Sequence, residues 1–276
     1  MTGSPWTLSG FGDEIDPEPV VQLGVLLALG ARHIEVRSAW GTNIVDLSAD
    51  RLAALGALIA ERGMAVSAVA SPVGKVDYRT DDSDRLARAI DAAHRLGTPY
   101  VRIFSFYRPA GAAASDIRDD VLRQLAGFAR IAEREQVILL HENEKGIYGD
   151  TPQRVLDLIE SVGSPALRVA WDNANFVQVG VRPFTDGYAG LRPHLEYLQV
   201  KDALAASGTV VAAGEGDGEL RETLTALRDD GYRGFASLEP HLALQSTLGG
   251  FSGPAEFGRA ARAFAALTAS IGVVTA

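Results

Sequence analysis

The feature that most constrains the fold is a regular alternation of short apolar runs with longer helical patterns along the 276 residues. Runs such as Val137-Ile138-Leu139-Leu140 are apolar on both faces, which is typical of parallel strands covered by helices. The sequence therefore predicts eight buried strands: Leu8–Gly12, His33–Arg37, Ala65–Ala70, Val101–Phe106, Val137–His141, Leu167–Trp171, Tyr197–Lys201 and Phe235–Glu239.

The intervals between these strands carry helix signals. The first helix is predicted to begin at Asp16-Pro17, with the proline in the first turn, and to end at Gly30. The sixth interval, Val181–Pro193, contains two prolines and two glycines, so its helix should be short or distorted.

Eight strand–helix units of about 34 residues each match a (β/α)₈ barrel of ~250 residues. A doubly wound open sheet has the same local alternation. It is disfavoured because Gly10-Phe11-Gly12-Asp13-Glu14 lacks the third glycine of a G-x-G-x-x-G dinucleotide fingerprint. We predict an α/β fold, a single (β/α)₈ TIM barrel, with residues 1–276 forming one domain.

The composition of the chain limits the classes of binding partner. The chain has 26 basic and 35 acidic side chains, a net charge of −9, and no cysteine. A negative surface disfavours nucleic acids and anionic membranes, and the lack of cysteine excludes disulfides and thiolate metal sites. The N-terminus lacks the pattern of a secretory signal, and no apolar run reaches the ~20 residues of a membrane-spanning helix. We expect a cytoplasmic protein with a small-molecule partner; a homo-oligomer remains open.

Polar side chains cluster at the ends of the last four predicted strands. In a barrel of this kind, residues at the C-terminal ends of the strands meet around one mouth. A single carboxylate there is commonly a helix cap or a surface group. Three carboxylates and a carboxamide would repel and desolvate one another unless a hard divalent cation bound them. The predicted metal ligands are Glu142, Asp172, Gln199 and Glu239.

Four segments carry a family resemblance: Leu140-His141-Glu142-Asn143, Trp171-Asp172-Asn173-Ala174-Asn175-Phe176, Val200-Lys201-Asp202 and Leu238-Glu239-Pro240. With them the chain resembles the xylose-isomerase-like TIM barrels, a superfamily of sugar and sugar phosphate isomerases and epimerases. The resemblance implies Glu, Asp, His and Glu ligands from the last four strands. Gln199 stands at the histidine position, and Asn175 stands where a substrate-contacting histidine is usual.

The resemblance also implies the chemistry. A metal-dependent isomerase or epimerase would act on a sugar, keto-sugar or sugar phosphate through an enediolate, with Glu142 and Glu239 as the acid/base pair. Oxygen in place of imidazole shifts the expected ion to one Mg²⁺ or Mn²⁺. Two alternatives remain: a lyase like inosose dehydratase, and a non-catalytic sugar-binding barrel, suggested by Gln199 and Asn175.

Three further residues are expected at the substrate: Asn175, Lys201 and His241. Lys201 lies two positions beyond Gln199, so it faces the same side of the strand. It could neutralise a substrate oxygen or pair with Asp202. His241 could contact the substrate or lie at the surface.

Two more features have structural interpretations. Glu35 and Arg37 share a face of the second strand, and an ion pair between them is favoured over substrate contact. The segment Gly214–Gly218 has three glycines but two acids. The acids argue against anion binding and favour a flexible turn near the site.

Overall fold

The structure is a computed structural model that describes residues 5–243 and 250–276. Eight parallel strands form the barrel wall: β1 (Thr7–Gly10), β2 (His33–Val36), β3 (Ala65–Ala70), β4 (Tyr100–Ile103), β5 (Ile138–Glu142), β6 (Leu167–Asp172), β7 (Leu195–Val200) and β8 (Phe235–Leu238). Their order around the sheet is β1-β8-β7-β6-β5-β4-β3-β2. A parallel bridge between Phe11 and Glu35 brings β1 to β2 and nearly closes the barrel. The predicted TIM barrel is confirmed.

Helices cover the outside of the barrel: α1 (Pro19–Ala28), α2 (Ala49–Glu61), α3 (Ser83–Leu96), α4 (Ala114–Glu135), α5 (Pro152–Val162), α7 (Leu220–Asp229) and α8 (Gly253–Ser270). The short helix α6 (Asn173–Val177) instead follows β6 directly and is fully buried at the mouth of the barrel. Helix α1 starts two residues later than predicted, because the Asp16 carboxylate accepts from the Glu18 amide (2.8 Å) and forms a turn there. The sixth interval is distorted as expected, with a π-helical segment, Phe184–Tyr188, running into a single turn at Ala189–Leu191. In the described ranges, no helix is long and apolar enough to cross a membrane.

Strand β4 ends at Ile103, three residues before the predicted Phe106, because the following backbone turns to the neighbouring loop. The amides of Phe104 and Phe106 donate to the carbonyls of Val73 and Gly74, both at 2.8 Å. Gly74 has a φ of +82°, and a Cβ there would lie 2.2 Å from the Phe104 carbonyl oxygen. Glycine is therefore required where the loops after β3 and β4 meet beside the barrel mouth.

The barrel interior is partly polar. One large apolar cluster packs the strands against the helices. A separate small cluster of Ala68, Leu140, Ala170 and Tyr197, from four different strands, lies inside the barrel. The Tyr197 hydroxyl donates across the barrel to Glu35 Oε2 at 2.9 Å. The small apolar cluster inside the barrel is therefore in direct contact with buried side chains that form hydrogen bonds.

His141 makes stability depend on pH. It is completely buried on β5, beside Gly149, where a Cβ would lie 2.5 Å from its Cε1. Burial lowers the pKa of His141 to about 3. In the unfolded chain the pKa of His141 is about 6.5. Between pH 6.5 and pH 3 the proton therefore binds the unfolded chain and not the folded one, so the free energy of unfolding falls as the pH falls.

We therefore expect His141→Phe to flatten the acid side of the stability profile. Lowering the pH from 7.5 to 5.0 should cost the wild type about 2 kcal/mol more unfolding free energy than it costs the variant, at roughly 1.4 kcal/mol per unit below 6.5. Urea unfolding at both pH values measures this difference. Equal losses in the two proteins would show that His141 does not titrate this way.

Candidate active site

Three carboxylates meet at the C-terminal mouth of the barrel. Glu142 and Asp172 are the last residues of β5 and β6, and Glu239 directly follows β8. One oxygen from each lies within 4.8 Å of the others, and all three residues are buried. We call Glu142, Asp172 and Glu239 the carboxylate cluster. Parallel strands with a common polarity bring their C-terminal residues to one place, as the sequence predicted for these three positions.

The chain supplies cations of its own to this cluster. Lys201 Nζ lies 2.8 Å from Asp172 Oδ2 and 2.9 Å from Glu239 Oε2. Lys201 therefore does not make the predicted alternative pair with Asp202. Instead its ammonium bridges two strands at the mouth, and mutual repulsion among the carboxylates does not by itself require a bound ion.

Two arginines, neither of them predicted in the site, add further positive charge at the cluster. Arg102 Nη1 lies 2.8 Å from Glu142 Oε2. Arg37 Nη1 lies 3.2 Å from Glu239 Oε1, and its Nε lies 2.8 Å from Asp13 Oδ2. The prediction that Arg37 pairs with Glu35 is therefore wrong. The signal for Arg102 was an arginine within the buried run of β4, where a charge must find a partner.

Burial and these cations shift the carboxyl groups in opposite directions. Burial is the largest effect on Asp172 and raises its pKa, against the opposing charge of Lys201. Burial also acts on Glu239, but the charges of Lys201 and His241 outweigh it and hold the pKa of Glu239 well below its ordinary value. Neighbouring acids with different proton affinities are a common arrangement where protons are transferred.

Gln199 lies beside the cluster with one end of its carboxamide bonded. It pairs in register with Asp172 on β6. Its Nε2 faces Glu35 Oε1 at 3.5 Å, whereas its Oε1 is buried and has no hydrogen-bond partner among the described residues. The carboxamide oxygen is therefore unpaired among the described residues, and Gln199 lines neither of the two cavities described below.

Asn175 supports the cluster from helix α6. Its backbone amide donates to Asp172 Oδ1 at 2.9 Å, which caps the helix. Its side-chain Nδ2 donates to Glu142 Oε1 at 3.0 Å. Asn175 also lines the larger cavity described below, so the predicted substrate contact remains a hypothesis, and its observed role is to orient Glu142.

His241 is held by acids rather than lying free at the surface. Its Nε2 lies 3.0 Å from Glu14 Oε1 and 3.3 Å from Glu239 Oε1. Burial alone would lower the pKa of His241, but Glu14 and Glu239 raise it to about 9. The imidazolium is thus charged at neutral pH. Glu14 was missed as a site residue, although it follows the first strand in Gly10-Phe11-Gly12-Asp13-Glu14.

Two cavities open above the cluster. The larger, of about 490 Å³, is lined in part by Lys75, Lys145 and Asn175. The smaller, of about 80 Å³, includes Arg102, Glu142 and Glu239 in its lining. Lys201 and His241 line both cavities. A small polar molecule in the larger cavity would therefore reach the carboxylate cluster past these two cations.

Comparison with known proteins places the chain in a family. Residues 23–265 match the family model of the xylose isomerase-like TIM barrel. The chain belongs to the xylose isomerase-like TIM barrel family. The resemblance seen in the sequence motifs is confirmed at the level of the family.

Known relatives include sugar epimerases. The chain is 32% identical over 207 residues to 2-epi-5-epi-valiolone 7-phosphate 2-epimerase from Actinoplanes sp., covering 74% of this chain and 68% of that one. A D-tagatose 3-epimerase-like protein has a TM-score of 0.78 at 17% identity, over 96% of this chain and 98% of that one. A xylose isomerase-like TIM barrel protein from Mycobacterium smegmatis in complex with magnesium has a TM-score of 0.70 at 18% identity, over 97% of both chains.

Asp202, next to Lys201, organises the loop of residues 214–218. Its two carboxylate oxygens accept from four backbone amides, those of Ala203, Gly214, Gly216 and Gly218, at 2.9 to 3.1 Å. A Cβ at Gly216 would lie 2.4 Å from Asp202 Oδ1. The interpretation of this loop as a flexible turn is therefore wrong: a buried carboxylate holds it, and glycine allows the close approach.

We expect Asp202→Asn to loosen this loop, because an amide nitrogen would face backbone donors that now meet an oxygen. Leaving one or two such donors unpaired costs ~1–3 kcal/mol each. Urea unfolding should report the lower stability, and hydrogen exchange should accelerate at Gly214, Gly216 or Gly218. Exposed Asp186→Asn serves as the control. Unchanged exchange in this loop would contradict the role of Asp202.

Proposed function

We propose that this chain is a divalent-metal-dependent epimerase or isomerase acting on a keto-sugar, a related cyclic polyol ketone, or the phosphate of either. The observation that carries the proposal is the carboxylate cluster, buried at the floor of an open cavity. The relationship to an epimerase of a cyclic polyol phosphate supports this substrate class. Lys75 and Lys145 in the cavity wall are compatible with a phosphorylated substrate.

The residues at the mouth fit a hard divalent ion. Glu142, Asp172 and Glu239 offer carboxylate oxygens in one place. Gln199 offers a buried carboxamide oxygen without a hydrogen-bond partner among the described residues. Oxygen donors of this kind favour Mg²⁺ or Mn²⁺, and a structurally similar protein is known in complex with magnesium. These four residues are the proposed ligands.

The bound ion would polarise the substrate carbonyl and lower the barrier to removing the adjacent carbon-bound proton. The chain's own residues would carry the proton. Glu142 and Glu239 come from strands three positions apart around the barrel, so they can approach a substrate carbon from two sides, one removing the proton and the other returning it. Arg102, Arg37 and Lys201 would add positive charge close to the substrate oxygens on which negative charge develops.

A dehydratase is the second candidate, and His241 is the observation that favours it. Its pKa of about 9 keeps it protonated at neutral pH, and it lines both cavities. A charged imidazolium beside the substrate could protonate a leaving hydroxyl after the same initial proton abstraction. Product analysis separates the two, since elimination changes the substrate mass by one water and epimerisation does not.

The metal proposal predicts that Asp172→Ala loses ion binding. Wild-type protein should bind Mn²⁺, and the variant should bind it at least ~100-fold more weakly, or roughly 2.7 kcal/mol. Isothermal titration of metal-free protein measures the affinity, with Asp186→Ala on the surface as control. Equal Mn²⁺ affinity in wild type and Asp172→Ala would exclude this site.

The acid/base proposal predicts that Glu142→Gln and Glu239→Gln retain the ion but lose proton transfer. Each keeps one ligating oxygen, whereas removing a general base costs ~10² or more in rate. Solvent deuterium should enter a carbon of 2-epi-5-epi-valiolone 7-phosphate or D-tagatose with the wild type, and slowly with either variant. Glu160→Gln, on the exposed side of α5, is the control.

Three results would contradict this mechanism. Full exchange in both variants would show that these carboxylates are not the bases. Turnover without any entry of solvent hydrogen would indicate a hydride shift, and binding without exchange or turnover would indicate a sugar-binding protein.

A further inference from the structure

Lys201 occupies the space that an ion in the carboxylate cluster would need. Its Nζ is 2.8 Å from Asp172 Oδ2 and 2.9 Å from Glu239 Oε2, and its side chain is 3% exposed. A divalent ion bound to the same two carboxylates would sit about 2.0–2.6 Å from their oxygens. The ammonium and the ion would then lie within contact distance of each other, in a buried setting that screens their repulsion weakly.

We propose that the Lys201 ammonium and the divalent ion are alternative occupants of the carboxylate cluster, and that ion loading moves Lys201 into the adjoining cavity to bind a substrate oxyanion. The inference rests on the proposed function for the ion. It adds that Lys201 opposes ion binding, and that it reaches the substrate only when the ion is present.

The structure gives Lys201 somewhere to go. It lines both the small cavity at the cluster and the larger cavity above it. Glu144 lines both cavities as well, and its charge acts on Lys201. A four-carbon stem lets the ammonium swing between positions. A displaced Lys201 would therefore have the Glu144 carboxylate nearby until a substrate oxyanion took the place of that carboxylate.

The other cations of the cluster are less free to move. Arg102 lies over the rings of Phe11 and Phe104, with its Cζ 5.4 and 4.7 Å from their centroids. Arg37 lies over Phe11 at 5.1 Å and is also bound to Asp13. The contacts described for Lys201 Nζ are the two carboxylates themselves. Lys201 is thus the cation that an incoming ion would displace.

The experiment compares Mn²⁺ affinity in metal-free wild type, Lys201→Met and Lys145→Met by isothermal titration. Methionine keeps most of the lysine's bulk and removes the charge, so Lys201→Met should bind Mn²⁺ at least tenfold more tightly. Lys145 lines the same larger cavity but bonds to Gln178, so Lys145→Met should match the wild type. Lys201→Met affinity equal to or weaker than wild type would overturn the proposal.

The same titration distinguishes failure of the proposed exchange from failure of the proposed metal site. Wild type that binds Mn²⁺, with no gain in Lys201→Met, would leave the site standing and refute the exchange. No Mn²⁺ binding in either protein would refute both.

A second measurement needs no variant. Wild-type protein is treated with a water-soluble acetylating ester, with and without saturating Mn²⁺, and acetylation is quantified at each lysine by mass spectrometry. Lys201 should be protected without the ion and acetylated about tenfold faster with it, relative to Lys145. Protection of Lys201 that does not change with Mn²⁺ would overturn the proposal even if Lys201→Met failed to fold.

Discussion

Charge compensation at the barrel mouth is the constraint on which the rest of the site depends. Glu142, Asp172 and Glu239 are buried within a few ångströms of one another, and a buried carboxylate without a partner costs several kcal/mol. Each has a cation against it: Arg102 on Glu142, Lys201 on Asp172, and both Arg37 and Lys201 on Glu239. These pairs offset much of the cost of concentrating the acids where the strands end, and the part that remains appears as the raised pKa of Asp172.

The barrel supplies this compensation with fixed and movable parts. Phe11 and Phe104 form aromatic surfaces under the guanidinium groups, which adds cation–π attraction to the ion pairs. Asn175 ties Glu142 to helix α6, and Asp202 ties the loop after β7 to its own strand end. Against these fixed elements, Lys201 is held by carboxylates that are also the proposed ligands. The site thus combines a frame of cross-linked side chains with one cation whose contacts are the proposed ligands themselves.

The fold and the acids of the site were predictable because both follow from periodicity. Alternating apolar runs predict the strands, and parallel strands bring their last residues together, which placed Glu142, Asp172 and Glu239 correctly. The charged partners of these acids were harder to predict. Arg37 reaches Glu239 across 202 residues of sequence, and His241 reaches Glu14 across 227, so no local pattern connects them. The loop bound by Asp202 was misjudged because glycines give the same signal in a mobile turn and in a tight carboxylate nest.

The presence of Lys201 in the cluster bears on whether the proposed ion would serve the reaction or the folding of the chain. In a structural metal site the ligands repel one another without the ion, so metal binding supplies much of the folding free energy. Here an ammonium already bridges Asp172 and Glu239, and Arg37 adds a second cation at Glu239, so the chain itself supplies charge that holds these acids together. An ion that exchanged with Lys201 would break two ion pairs of that lysine, and this cost would lower the net affinity of the site for the ion. Gln199, the proposed fourth ligand, would act in the same direction, because a neutral carboxamide is a weaker ligand than imidazole for most transition metals. Both features favour a reversibly bound, hard ion whose contribution lies in the reaction rather than in the fold.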